Sequence, residues 1–417
     1  MIKPYYFGVR AVMQGWTRGV LRSLASVPRP SDDPRVHASG VDSDRLLLFG
    51  GGAAVGWGVL SHDLALPGSL ARKLSTLTRR GTDIDVRASP EFRASTAVRD
   101  LSRVNLARYD AIVLTLGLAE LLSLESAHSW RHDLDELLDH ITERSASKAQ
   151  IFVVGIQAPT QITRYDRFIA PLISYHRTAI NRASVLATAH RVGVTFIPFD
   201  PPPSRDGNRY RTHDEYLEGA ALLAPPIAAA LDRVFEQSRS APRKRISPVN
   251  EDARHFALER LNILDSAPEE RLNRLVEFAR RAFHTTSAAI TIIDDDRFWL
   301  KAGVGTGVSE GSRESAICVT TMGQSGALIV SDASVDARFA NKPRAGSSPT
   351  RFYAGFPIEA PNGVAIGALC VFDPAPREVR TFDRALLRDI ALMVQKEFWL
   401  RSVRDGQRWP PEPDASQ

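Results

Sequence analysis

Cysteine is nearly absent: the 417 residues hold two, Cys318 and Cys370, which leaves no disulfide framework and no metal-ligand spacing. That poverty fits a reducing compartment, and a cytoplasmic location is expected. Long apolar runs are missing too, since no stretch approaches the roughly 18 to 20 residues that span a bilayer. Near the start Arg10, Arg18 and Arg22 interrupt every apolar stretch, so no secretory signal is expected. Nor is there a basic stripe interleaved with aromatics. The net charge of +5 comes from arginine spread along the chain, and no nucleic-acid partner is expected. What is present is globular: 43% hydrophobic and 24% charged residues exclude global disorder. A chain of 417 residues is long for one core, so two domains plus linkers are expected.

Residues 1–26 read as a basic amphipathic helix. Tyr5, Val9, Val12, Met13, Trp16, Val20 and Leu24 share one face, with Lys3, Arg10, Arg18 and Arg22 elsewhere. Two roles fit: packing on a domain or partner, or peripheral contact of residues 3–24 with the inner face of a membrane. Residues 27–44, with Pro28, Pro30 and Pro34, read as a linker. Residues 237–249 carry Arg239, Arg243, Lys244 and Arg245 and read as a basic tether. The tail 406–417 is expected to be disordered.

Across residues 45–236, short apolar runs alternate with helical patterns, as in Arg45–Phe49 before Leu64–Arg79 and Ala111–Leu116 before Trp130–Arg144. Such alternation predicts a parallel sheet covered on both faces, with ligands beyond the carboxyl ends of its strands. The first strand runs into Gly50-Gly51-Gly52-Ala53-Ala54-Val55-Gly56-Trp57-Gly58. This is not the dinucleotide spacing, and no lysine follows as in a phosphate-binding loop.

The order of elements and this turn resemble the SGNH (GDSL-like) hydrolases, a flavodoxin-like esterase family. The resemblance places Gly51 and Gly52 where that family has Asp and the nucleophilic Ser. Gly117-Leu118-Ala119-Glu120 is similar to its Gly-x-Asn-Asp block, with Ala119 at the oxyanion-hole asparagine. Tyr210-Arg211-Thr212-His213-Asp214-Glu215 matches its Asp-His block in neither register: counted from His213 the Asp is Tyr210, and counted from Gly219 it is Arg211. Glycine has no nucleophile and alanine no oxyanion donor. No catalytic residue is therefore assigned, the degenerate positions being Gly52, Gly117, Ala119 and His213. A relocated nucleophile among Ser61, Ser89 and Ser123 is the competing reading.

From residue 250 to 405 the pattern changes. Helices are read over Ala253–Leu261, from Pro268 to about Phe283, and over Asp383–Arg401, with Pro268 just inside the second helix. Strands without long helices between them, such as Ala288–Ile293, Arg297–Ala302, Phe352–Ile358 and Ala365–Phe372, predict an antiparallel sheet. Leu264-Asp265-Ser266-Ala267-Pro268-Glu269-Glu270, Arg351-Phe352-Tyr353-Ala354-Gly355-Phe356-Pro357-Ile358 and Gly367-Ala368-Leu369-Cys370-Val371-Phe372-Asp373 resemble the GAF family, in order and over the whole segment. The resemblance implies helices on one sheet face and a small-molecule pocket on the other, drawn from Trp299, Cys318, Asp332, Phe352, Tyr353 and Phe356. The alternative for each is plain core. No histidine suited to a bilin follows Cys318, and no cofactor is assigned. The flanking helices are expected to carry a homodimer seam.

The expected architecture is a flavodoxin-like three-layer α/β domain followed by an α+β GAF domain with an antiparallel sheet. The expected function is a non-catalytic sensor tethered to a pseudo-hydrolase that binds a ligand or an unknown protein partner. The competing function is an active esterase regulated by the GAF domain.

Overall fold

The computed structural model describes residues 27–102, 104–157, 170–202, 211–238, 251–324, 326–340, 350–380 and 382–406. The helix expected over residues 1–26, most of the basic tether and nearly all of the tail lie outside them. The chain divides into two compact units, Met1–Ala241 and Pro242–Gln417.

Six strands form the sheet of the first unit: β1 (Arg35–Ala38), β2 (Asp44–Gly50), β3 (Thr82–Ala88), β4 (Ala111–Thr115), β5 (Gln150–Val154) and β6 (Val194–Ile197). They lie in the order β1-β3-β2-β4-β5-β6. The apolar runs Leu46–Phe49, Ala111–Leu114 and Ile151–Val154 are buried along their length, as parallel strands covered on both faces must be. All neighbours are parallel except β1, which runs antiparallel to β3. Leaving β1 aside, this is the flavodoxin-like order, with its topological switch point between β2 and β4.

Helices α1 (Leu66–Thr78), α2 (Ala94–Leu101), α3 (Leu118–Leu122), α4 (Ala127–Arg144), α5 (Ala170–Thr188) and α6 (His213–Ser238) follow in chain order. One face of the sheet packs on α1 and α6 through Leu66, Leu70, Leu74, Tyr216, Leu223 and Ile227. The other packs on α2, α4 and α5 through Ala97, Leu101, Trp130, Leu134, Leu137 and Ile180.

The linker expected over residues 27–44 is corrected. Proline bars a helix there but not an extended edge strand, and β1 follows Pro34 directly, turning Val36 and Ala38 into the core. Val27 is also buried, against Val55, Trp57, Leu118 and Leu122.

The second unit holds β7 (Ser287–Ile293), β8 (Arg297–Val304), β9 (Glu310–Ser312), β10 (Leu328–Val330), β11 (Phe352–Glu359) and β12 (Ala365–Asp373). They form one antiparallel sheet in the order β10-β11-β12-β7-β8-β9. Helices α7 (Glu251–Leu261), α8 (Glu270–Ala282) and α10 (Arg384–Arg404) cover one face with Leu258, Leu272, Val276, Leu387, Ile390 and Phe398. The short helix α9 (Ile317–Met322) packs on the other with Cys318 and Met322.

Pro268 precedes α8 instead of opening it, because Glu269 is the N-cap residue and its side chain is used elsewhere. The fully buried Lys301 ammonium donates to Ser266 Oγ at 2.7 Å and the Ala267 carbonyl at 2.7 Å, and pairs with Glu269 at 3.0 Å. Arg401 of α10 pairs with the same carboxylate and donates to the Leu261 and Asn262 carbonyls at 3.0 and 2.7 Å. One carboxylate thus ties the α7–α8 turn to β8 and α10. Burial raises the Glu269 carboxyl, but the Lys301 hydrogen bond and charge, with Arg401, outweigh it and hold it below its ordinary value.

Glu269→Gln strands the Lys301 charge. We expect it to cost about 2 to 3 kcal/mol, less than for a fully enclosed pair because the Glu269 side chain is 24% exposed. Urea unfolding should show the transition of the second unit shifting and that of the first standing still. A folded value below the ordinary 4.5 means the wild-type contribution is complete above pH 4.5 and is lost as pH falls through the lower folded value.

Candidate functional site

Beyond the carboxyl ends of β2, β4 and β5 lies a cleft of about 30 Å³, lined in part by Gly52, Thr115, Leu118, Gly155, Gln157 and Phe199. Gly52 opens a 3-10 turn at φ 57°, and a Cβ there would meet nothing nearer than Leu118 Cδ2 at 4.0 Å. The space a nucleophile's side chain would use is open. Gly117 differs: at φ 103° its Cβ would fall 2.5 Å from Ile156 Cδ1, so packing alone demands glycine.

Ala119 has no side-chain donor, and its carbonyl accepts from the Ser123 amide at 3.0 Å and the Ser123 hydroxyl at 2.9 Å. Glu120 is buried and accepts from the Ala94 amide at 2.8 Å, capping the start of α2, and burial pushes its carboxyl up. His213 donates from Nδ1 to the Leu64 carbonyl at 2.8 Å. Of the two residues that stand at the family's Asp position, Tyr210 lies outside the described residues and Arg211 is a buried cation.

Of the three serines, Ser89 accepts from the Glu91 amide at 3.3 Å, and Ser123 is spent on the Ala119 carbonyl. Ser61 sits in a cluster that sequence order hides. Its hydroxyl donates to Asp32 at 2.8 Å, and His62 Nδ1 donates to the same carboxylate at 2.6 Å. Burial raises the Asp32 carboxyl, but the bonds from His62 and Ser61 outweigh it and hold it below its ordinary value. Serine and imidazole share one acceptor here, and the serine proton points to the carboxylate instead of to the ring. Thirty positions separate Asp32 from His62, and no local pattern links them.

In the second unit the face covered by α9 carries a buried polar cluster. Tyr353 and Thr321 share a hydroxyl–hydroxyl hydrogen bond of 2.8 Å. The Cys370 thiol lies 3.5 Å from Thr291 Oγ1 and donates to the Ala289 carbonyl at 3.4 Å. Burial pushes the Cys318 thiol and the Tyr353 phenol well up, and the Cys370 thiol up to about 11.

The GAF domain profile matches residues 267–397. Residues 267–397 form a GAF domain. The chain is also similar to a cyclic di-GMP phosphodiesterase of Pseudomonas aeruginosa, 32% identical over 149 residues, which is 35% of this chain and 25% of the relative. It therefore spans about a quarter of that relative's length. Among solved structures, the GAF domain of an Acinetobacter phosphoenolpyruvate-protein phosphotransferase is 14% identical at a TM-score of 0.26, covering 37% of this chain and 93% of that one. A family two carbohydrate esterase from Cellvibrio japonicus is 9% identical at a TM-score of 0.34, covering 45% and 62%.

The six positions expected to line the GAF pocket separate by sheet face. Strand alternation sends Phe352 and Phe356 to the helical side, where they join the core under α8 and α10, and Trp299 packs there too. Phe352 tilts against Phe382 with ring centres 5.8 Å apart. These three pack with the core on the helical side. Tyr353 and Cys318 lie on the α9 side. Asp332 stands at the end of β10, paired with Arg351 and accepting from the Ser334 amide and hydroxyl at 3.0 and 2.7 Å. The Arg351 guanidinium holds its carboxyl well below the usual range. Thr291, Thr321 and Cys370 were missed as members of this face. Their signal was a polar residue at an inward position, Thr291 between Ile290 and Ile292, and Thr321 one helical turn after Cys318.

Both thiols are buried and poorly ionised. Ellman's reagent should label the native chain roughly 100-fold or more slowly than the urea-unfolded chain, with two thiols released only on unfolding. Fast native labelling of Cys318 would show that the α9 side opens readily.

Proposed function

We propose that the protein is a non-catalytic regulator in which the GAF domain senses a small molecule. In this reading the first unit is a degenerate SGNH-type hydrolase domain that binds a ligand or partner without turning it over. The observation that carries it is Gly52 at the mouth of the strand-end cleft, with open space where an attacking hydroxyl would stand. The supporting groups fail with it, because Ala119 has no donor side chain and His213 spends Nδ1 on a backbone carbonyl. Loss of the nucleophile alone costs on the order of a millionfold in serine triads, and an oxyanion donor a further ~10²–10³.

The GAF half is proposed to act as a homodimer through α7 and α10, where Phe256 and Met393 stand 44% and 54% exposed. A cytoplasmic site, with residues 3–24 touching a membrane's inner face, completes the proposal. No helix among the described residues is long and apolar enough to cross a membrane.

The Asp32–Ser61–His62 cluster favours a second reading, an esterase with a relocated nucleophile. The two separate in one assay. Purified full-length protein should hydrolyse p-nitrophenyl acetate no faster than buffer, and Gly52→Ser should not restore turnover because His213 lacks an acid partner. A rate that Ser61→Ala abolishes would establish the esterase instead. For the sensor half, a thermal-shift screen of cyclic nucleotides, cyclic di-GMP among them, should find one that stabilises the GAF transition. A ligand at a hundred times its Kd adds about 2.7 kcal/mol. If no member of a broad nucleotide and metabolite panel moves that transition, the sensor reading fails.

A further inference from the structure

The outer sides of α8 and α10 frame a trough in the GAF domain. On α8, Arg271, Arg274, Leu275 and Phe278 stand at i, i+3, i+4 and i+7, on one side of the helix, while Leu272, Val276 and Ala279 turn to the core. On α10, Met393, Lys396 and Glu397 repeat that spacing. Together they line a groove of about 530 Å³, to which no strand or loop among the described residues contributes.

The groove is apolar within and cationic at its rim. Phe278 is 50% and Met393 54% exposed, and Leu275 is half-buried. Single exposed apolar residues are ordinary, but two large ones around one groove make a shared surface. The rim sets Arg271, Arg274 and Lys396 against Glu397. Arg271 meets Glu397 at 3.4 Å and Arg274 meets Glu270 at 3.2 Å, yet the two arginine side chains stay 65% and 70% exposed. Pairs so open to water are weak and exchange readily for an incoming carboxylate.

Shape and charge together select the occupant. With walls from two helix surfaces alone the groove has no roof, so a small molecule there would keep one side in water. A third helix suits it better. The 13 residues of α8 run for about 20 Å, along which an amphipathic helix can lay its apolar stripe. A second copy suits the shape but not the charge. In a two-fold pair the same patch meets itself, and the cationic rim would face its own counterpart.

We propose that the α8–α10 groove docks an acidic amphipathic helix of a partner protein, its apolar stripe on Phe278 and Met393 and its carboxylates on Arg271, Arg274 and Lys396. This goes beyond the homodimer reading, which sets a second copy on α7 and α10, and shares only Met393 with it.

The probe is a helical peptide of about 20 residues, with leucine at every third and fourth position and glutamate on the flanks. Its counterpart carries lysine for each glutamate. Full-length protein should raise the fluorescence anisotropy of the labelled acidic peptide saturably, with an affinity at least about tenfold above that for the basic one. That affinity should fall as salt is raised, because the charges meet at the surface. Phe278→Ser should weaken binding about tenfold or more, as loss of an aromatic anchor does. Arg271→Glu combined with Arg274→Glu should reverse the preference, so that the basic peptide binds the tighter. Should Phe278→Ser disturb the thermal midpoint of the second unit, Lys396→Glu, which leaves the apolar contacts in place, should still weaken the acidic peptide. Equal binding of the two peptides, or affinities indifferent to these substitutions, overturns the proposal. So does a dimer, seen by sedimentation, that neither peptide disturbs and Phe278→Ser dissolves, since the groove then takes a second copy. Peptides that fail to bind where phosphatidylcholine–phosphatidylserine vesicles do, with release on the arginine reversal, overturn it in favour of a lipid surface.

Discussion

A β-strand sends successive side chains to opposite faces, and both sheets of this protein are covered on both faces. That constraint decides where chemistry can occur. In the first unit the central strands are buried on either side, so a reactive or ligand-binding group has no place along them and must stand beyond their ends. The switch point between β2 and β4 supplies that place, and Gly52, Leu118 and Gln157 gather there from three separate segments that follow β2, β4 and β5. In the GAF domain the same alternation puts Phe352 and Tyr353, neighbours in sequence, on opposite sides of the sheet. One is core and the other belongs to the face under α9. A single residue of register separates a structural aromatic from a candidate ligand contact.

If, as proposed, the strand-end cleft is a degenerate hydrolase site, what it has lost is the set of reacting atoms. Hydrolysis by a serine relay needs a hydroxyl, an imidazole that can become an imidazolium, and a carboxylate that stabilises that cation. His213 donates to a carbonyl, which orients the ring but brings no full negative charge. Arg211 stands two residues away with its charge reversed relative to such a carboxylate.

Much of the fold was legible in the sequence because its signals were local and redundant. The aliphatic runs of β2, β4 and β5 marked central parallel strands, and the ordered blocks from Leu264 to Asp373 marked the GAF domain. Elements whose identity depends on partners were not legible. Residues 27–44 read as a linker because proline excludes a helix, yet the edge of β3 gives Arg35–Ala38 a strand to pair with. Pro268 read as the opening of a helix, yet Lys301 and Arg401 claim the Glu269 carboxylate and set the start after it. The helix α9 is six residues long, too short for a periodic signal, and it covers the face that the pocket candidates were meant to line. The Asp32–Ser61–His62 cluster could not be read at all, since only tertiary packing brings Asp32 to the loop before α1.

The buried polar cluster under α9 sets conditions on any ligand that the GAF domain accepts there. Cys318, Thr321 and Met322 of α9 are buried, so a ligand entering on this side has to move that helix. Moving it parts Thr321 from Tyr353 and leaves two buried hydroxyls unpaired, at a cost of about 1–3 kcal/mol for each that finds no new partner. An apolar ligand would bear that cost in full. A ligand with donors and acceptors of its own, placed to meet the Tyr353 hydroxyl, recovers it. The displaced-helix state then becomes populated only to the extent that the ligand prefers it to the closed one, because equal affinity for both shifts nothing.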